Sequence, residues 1–396
     1  MAGGLLAGLS ALALAACGGP SASSKLTLSP TSGPSGTVVD ISGDAGPGCS
    51  PGHNWFGFNF GPYGAPAKGP ATGMTPSALK NGSWTVRFLV PPYLGGQSKH
   101  GLGAAATPGR YQFVAPACRG HTVAKASFRV TAGPSKATGG RYVAITATRD
   151  GQGYWLVQAD GRVSAFGDAR SYGSLAGAAG PAASVVGPAA SVVGMARTYD
   201  GHGYWLVSAD GHVHSFGDAR PYGSLSGAAP GRAPVTGIAA TPDGRGYWVL
   251  AANGHVYRFG DARLMGMPNG QLAPYDAVVA RPAGGYVITA ASDGAVYLYP
   301  GGVLSSGGPG ASLSATLVGT AVTPSGNGTW QAGLDGGVVT SGDAGFYGSL
   351  PGENVVAKIP VTAIAASPDG HGYWLVNAKG HVYPFGDAHT FPPASA

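Results

Sequence analysis

The stretch GYWLVSADGHVHSFGDARPYGSL, residues 203–225, decides the fold because it recurs. Its Trp205 has counterparts at Trp155, Trp248, Trp330 and Trp374. Val287 holds the same place in GGYVITAASDGAVYLY, between Trp248 and Trp330, so the chain carries six copies. From Trp205 onward the steps are 43, 39, 43 and 44 residues, whereas the first, Trp155 to Trp205, is 50. The excess has a visible source: PAASVVG at 181–187 is followed by an identical PAASVVG at 188–194. Removing one copy restores the common period, which predicts that Pro188–Gly194 is an insertion between repeats and not a strand.

Within a copy, a strand such as Val235–Ala240 leads into Thr-Pro-Asp-Gly-Arg-Gly. A second strand, Tyr247–Ala251, ends at Asn253-Gly254, and a third runs from His255 to Phe259. Gly260-Asp261-Ala262 then turns into a weak fourth strand, Tyr-Gly-Ser-Leu in several copies. Asp-Gly and Asn-Gly suit tight hairpins, which need positive φ. The Tyr-Trp-Leu-Val strand is apolar on both faces. A sheet wetted on one side would alternate, so these strands are covered on both sides. Six four-stranded units that bury each other's faces describe a six-bladed β-propeller over residues 141–396. The repeats resemble the GYWLVAADGGVFAFGDA repeats of secreted actinobacterial proteins and, more distantly, YVTN-type propellers. That resemblance covers about two-thirds of the chain and implies no particular chemistry. Such repeats often accompany cell-wall hydrolase domains, and no further stretch of this chain is long enough to hold one.

The N-terminal part reads differently. Residues 2–16 are uncharged and apolar, too short to span a bilayer and suited to a signal-peptide core over 1–16. The run ends Leu14-Ala15-Ala16-Cys17-Gly18. This resembles the bacterial lipobox, which implies lipidation of Cys17, a tether over 17–24 and anchoring to the outer face of the cytoplasmic membrane. Two other cysteines remain, Cys49 and Cys118, an even pair in an oxidising compartment, which suggests one disulfide. Strand-like runs at Lys25–Ser29, Val38–Ser42, Trp55–Phe60, Ser83–Val90, Arg110–Val114 and Ala124–Val130 suggest a β-sandwich over 25–132. LSPTSGPSGTVVDISG, PGRYQFVAPAC and ASFRVTA resemble the opening and closing strands of bacterial Ig-like domains of the IPT/TIG type. Residues 133–140 read as a linker. The fold class is thus all-β: an Ig-like sandwich followed by a propeller.

Chemistry is harder to place. There is one Glu, Glu353, and all Asp except Asp40, Asp44 and Asp276 sit in repeated turns, where Asp bonds its own backbone. No pair of acids stands apart as a hydrolase needs. A lone Asp per turn cannot supply the six to eight oxygens of a calcium site. No Gly-x-Ser-x-Gly elbow appears, and no βαβ unit surrounds the glycines. No catalytic residue, metal or cofactor is therefore expected. The repeats do place Arg162, His212, His255 and His381 just after the second hairpin turn, on one face of a ring. Gln152, His202, Arg245 and His371 follow the first turn, on the opposite face. Converging weak cations suit an anionic ligand, so the first set is the candidate binding face. The expected role is non-catalytic binding of a glycan or protein at the cell envelope, with the membrane reached through the lipid and no nucleic-acid partner. A propeller lyase or hydrolase acting on cell-wall polysaccharide is the alternative, and a purely structural scaffold of an envelope complex is a third. A blade-specific acid or base cluster that breaks the repeat would favour the enzyme; the sequence shows none.

Overall fold

The computed structural model describes residues 26–30, 32–33, 38–44, 59–62, 83–89, 109–115, 124–130, 140–175, 191–225, 233–268, 275–290, 294–304 and 316–394. The expected signal peptide, tether and Cys17, the Cys49 and Cys118 pair, and the linker up to residue 139 lie outside these.

Seven strands precede the repeats: β1 (Leu26–Ser29), β2 (Ser32–Gly33), β3 (Val38–Asp44), β4 (Asn59–Pro62), β5 (Ser83–Leu89), β6 (Gly109–Ala115) and β7 (Ala124–Val130). They form two sheets, β1-β3-β5 and β2-β7-β6-β4. Val39 and Ile41, on the same side of β3, are both fully buried.

The repeats form six antiparallel sheets. Blade 1 is β8 (Tyr142–Ala147), β9 (Gly153–Gln158) and β10 (Val163–Gly167); blade 2 is β11 (Val192–Arg197), β12 (Gly203–Ser208) and β13 (Val213–Gly217). Blade 3 is β14 (Val235–Ala240), β15 (Gly246–Ala251) and β16 (Val256–Gly260). Blade 4 is β17 (Tyr275–Ala280), β18 (Tyr286–Ala290), β19 (Val296–Tyr299) and β20 (Val303–Leu304). Blade 5 is β21 (Leu317–Val322), β22 (Thr329–Gly333) and β23 (Val338–Ser341); blade 6 is β24 (Val361–Ala366), β25 (Gly372–Asn377) and β26 (Val382–Gly386). The first strand of each blade touches that of the next, and β24 touches β8, so the ring closes as a six-bladed propeller. Every residue of the middle strands β9, β12, β15 and β25 is buried, which is why they are apolar on both faces.

The tryptophans join blades. Each stacks on the tyrosine opening the next blade's middle strand: Trp155 on Tyr204, Trp205 on Tyr247, Trp248 on Tyr286, Trp330 on Tyr373, and Trp374 on Tyr154 across the closure. Centroid separations of 5.1–6.0 Å suit tilted aromatic pairs. Each indole Nε1–H also donates to a carbonyl fifteen residues on: Arg170, Arg220, Arg263, Gly345 or His389.

That bond fixes the segment expected as a fourth strand, which is not one in most blades. Gly173, Gly223 and Gly348 take φ of 127°, 126° and 128°, outside the range of an extended ladder. The segment instead crosses to the next blade. Tyr204 Oη donates to Gly173 O at 2.5 Å and Tyr172 Oη to Gly201 O at 3.1 Å, while Ser174 and Leu175 turn back to blade 1. Residues 389–394 do the same for blade 6: Phe391 packs on Tyr154, and Ala394 N–H donates to Ala165 O at 2.9 Å. Blade 4 is the exception. With Val287 in place of Trp there is no indole anchor, and Val303–Leu304 pairs with β19 as a true fourth strand.

The seam between blades 4 and 5 therefore differs from the other five. It lacks the aromatic pair, because Val287 faces the position where Thr329 replaces Tyr. Apolar clusters span the other five seams, and among the described residues none spans this one. Polar bonds join it instead: Arg281 Nε–H donates to Gly326 O at 2.9 Å, Gln331 Nε2 to Gly294 O at 3.2 Å, and Thr289 and Thr320 hydroxyls lie 3.0 Å apart.

One expectation is corrected. Val192, Val193 and Gly194 of the second PAASVVG copy belong to β11, the innermost strand of blade 2, and Val192 is buried. The copy adjoining the next repeat fills that strand because its Val-Val-Gly occupies the register of Val-Thr-Gly in β14. Because the copies are identical, deleting Pro188–Gly194 gives the same chain as deleting 181–187. The remaining copy then supplies the strand. We expect the melting temperature to move by no more than a few degrees, as for a shortened loop. A large fall in a thermal scan would show that both copies are needed.

Candidate functional site

The six innermost strands enclose a channel of about 760 Å³ lined by all blades. The first hairpins surround one mouth. In blades 3 to 6 the phrase entering this hairpin is Ala240-Thr-Pro-Asp, Ala280-Arg-Pro-Ala, Val322-Thr-Pro-Ser and Ala366-Ser-Pro-Asp. Blades 1 and 2 depart from it. Arg149 and Tyr199 stand where the others have Pro, and Arg197 stands where they have Ala or Val.

The Arg149 and Tyr199 side chains meet, and Arg197 binds the backbone beside them. The Arg149 guanidinium lies 4.5 Å from the Tyr199 ring centroid, and its Nη2 donates to Tyr199 Oη at 3.2 Å. Arg197 Nη1 donates to Thr198 O at 3.2 Å and Tyr199 O at 3.3 Å. Arg197 is partly buried, and its pKa is lowered first by desolvation and then by the Arg149 charge. The ion pairs formed among the described residues are all His–Asp, so neither guanidinium has a carboxylate partner. The nearest acids in sequence are turned into their own hairpins: Asp150 Oδ1 accepts from Thr148 and Gln152, and Asp200 Oδ1 from Thr198 and His202.

A second departure lies at the polar seam. Asp276 occupies the position held by Val143, Val193, Thr236, Val318 and Thr362. Its Oδ1 accepts from the Thr289 hydroxyl at 2.9 Å, and Thr289 is bonded to Thr320. Its Oδ2 is enclosed and has no partner among the described residues. Desolvation pushes this carboxyl up to about 7.

The turn aspartates pair across the outer part of the blade. The Asp200 and Asp218 carboxylates lie close together, as do those of Asp369 and Asp387. The Thr198 hydroxyl holds Asp200 below the usual carboxylate range, and burial with the Asp200 contact raises Asp218. His202 and His371 bring a third metal-ligating atom within 4.8 Å of these pairs. All six residues are exposed, and three donors fall short of a hard-cation site.

The sequence-predicted face is distributed, not convergent. Each of its members stays within its own blade. Arg162 is exposed; His212 pairs with Asp210 at 3.1 Å and stacks on His214; His255 and His381 pack on Tyr257 and Tyr383. No contact among the described residues joins one blade's member to another's. Sequence reasoning missed Arg149, Arg197, Tyr199 and Asp276. Their signal was present as departures from the repeat, but it appears only when the first strands and hairpins are compared column by column.

No protein-family model matches the sequence, and no curated protein matches it. Among solved structures, the chain is similar to the β-propeller domain of Cps50 (Swd1) from Myceliophteria thermophila. Identity is 8%, the TM-score is 0.43, and the match covers 62% of this chain and 97% of that one. It is also similar to a structural-genomics protein of unknown function from Bacteroides thetaiotaomicron, at 13% identity and TM-score 0.41, covering 91% of this chain and 98% of that one.

Proposed function

We propose that this is an exported, non-catalytic binding protein of the cell envelope. It is held at the outer face of the cytoplasmic membrane through lipid on Cys17, and an Ig-like domain over 25–132, closed by a Cys49–Cys118 disulfide, carries the propeller. The observation that carries the reading is the concentration of repeat-breaking residues at one channel mouth. Turn and core positions repeat because the fold needs them. Arg149, Arg197 and Tyr199 break the repeat where other blades form the same hairpin with Ala, Val or Pro, so the hairpin itself does not call for them, as expected of a binding surface.

The enzyme reading has one observation in its favour, a channel carboxyl raised to about 7 at Asp276. It lacks the second carboxylate that glycoside hydrolysis uses, since the other described acids near the channel are engaged in hairpins. Detergent-solubilised full-length protein should co-sediment with purified anionic cell-wall polysaccharide and leave its chain length unchanged. Shortened polysaccharide would favour the enzyme. Absence of binding together with a stable complex of envelope proteins would favour the scaffold.

A further inference from the structure

We propose that Arg149 and Arg197, at the channel mouth between blades 1 and 2, form a binding site for an oxyanion group, the carboxylate or phosphate of an envelope glycan. This rests on the reading of the chain as a binding protein and names the chemistry of its site.

The charge at this mouth is unbalanced. Two guanidinium groups are close enough for one to disfavour ionisation of the other, and one of them is partly withdrawn from water. A guanidinium cannot lose its proton at any physiological pH, so the repulsion persists unless an anion sits between them. No described residue provides one: the ion pairs among the described residues are all His–Asp, and Asp150 and Asp200 bond Thr148 and Thr198. The two arginines are also held in place. Arg149 is stacked on Tyr199, and Arg197 is tied to two backbone carbonyls through a single nitrogen, Nη1. That leaves its Nε and Nη2 hydrogens for a ligand. A fixed fork of donors matches the planar oxygens of carboxylate or phosphate, and little side-chain entropy remains to be lost on binding. Other blades put Ala and Pro at these places, so the hairpin does not need arginine to fold.

The same fact makes the test clean. Arg197→Ala restores the residue of blades 1, 3, 4 and 6, and Arg149→Ala removes an exposed side chain whose hydrogen bond and ring contact are both with Tyr199. Both variants should melt within a few degrees of the parent. Full-length protein is titrated with inorganic phosphate and, separately, with D-glucuronate, following the arginine side-chain N–H signals by NMR. We expect saturable shifts with at least one probe, the preferred probe identifying phosphate or uronate as the source. Each substitution should weaken binding at least tenfold, about 1.4 kcal/mol. The site is overturned if the parent binds neither probe, or if either folded variant binds as the parent does. Polysaccharide co-sedimentation separates the two readings. If it survives in the variants, the protein is still a binder and the arginine site is wrong. If the parent binds phosphate or glucuronate but no polysaccharide, the site stands and the glycan assignment falls.

Discussion

Replacing Asp276 by Val is expected to stabilise the protein by up to about 4 kcal/mol at pH 8 and to leave it within about 1 kcal/mol of wild type at pH 4. Val is the residue of blades 1, 2 and 5 at this position, so the strand accepts it. The sign follows from the two states. In the native ring the carboxyl keeps its proton up to about pH 7. In the unfolded chain it ionises near the ordinary Asp value, about 3.9. Between these values only the unfolded chain loses the proton, so ionisation favours unfolding. Wild-type stability therefore falls as pH rises from 4 to 7 and levels off above. The variant lacks this fall. Val also removes the acceptor of the Thr289 hydroxyl, which costs about 1 kcal/mol and makes 4 an upper value. Asp276→Asn keeps the acceptor and removes only the charge, so it isolates the titration. Urea midpoints at pH 4, 6 and 8 measure the effect. A gap between variant and wild type that did not change with pH would remove the carboxyl from the explanation.

Trp374→Ala is expected to cost about 3–5 kcal/mol, the usual loss for a buried aromatic. More is lost than volume. The indole stacks on Tyr154 across the closure and donates to His389 O at 2.6 Å. That bond sets the segment whose Phe391 packs on Tyr154 and whose backbone meets β10 through Gly167 N–H to Pro392 O at 2.9 Å. With the anchor gone, the Gly167 and Ala394 amides should exchange with deuterium much faster than the blade 3 amides, which lie outside the affected seams. Trp374→Phe keeps most of the packing and loses the single hydrogen bond, so about 1 kcal/mol is expected. If the Gly167 amide exchanges at the parent rate in the alanine variant, the C-terminal segment is held by something other than this tryptophan.

The repeat made the ring legible. Trp155 through Trp374 at near-constant steps, with apolar runs on both sides, require mutually covered blades, and Asp-Gly or Asn-Gly marks the second hairpin in five of the six copies. The fourth strand was misread because Tyr-Gly-Ser-Leu has a strand's composition. Its path is set by two partners, the indole of its own blade fifteen residues away and the tyrosine of the next, 20 to 31 residues away. Local propensity carries no record of either. The duplicated segment was misread for a related reason: two identical copies cannot announce which one enters the ladder. The candidate site was half legible. Arg and His at regular places drew attention to the second-hairpin face because regularity is easy to see. Arg197 and Asp276 are single departures inside strands, and their meaning depends on which blade edges face the channel.

The seam between blades 4 and 5 gives the ring a mechanical character. A hoop of equal joints would part first where the repeat segment begins and ends, between blades 6 and 1. Here that joint carries the full fitting of indole, tyrosine and crossing segment. The joint without them is covalently continuous and sits two joints away from that closure. Under heat, or at a pH that ionises Asp276, this hoop should yield there first. It would open like a clasp into a C-shaped arc, with blades 5, 6, 1, 2, 3 and 4 still stacked in that order.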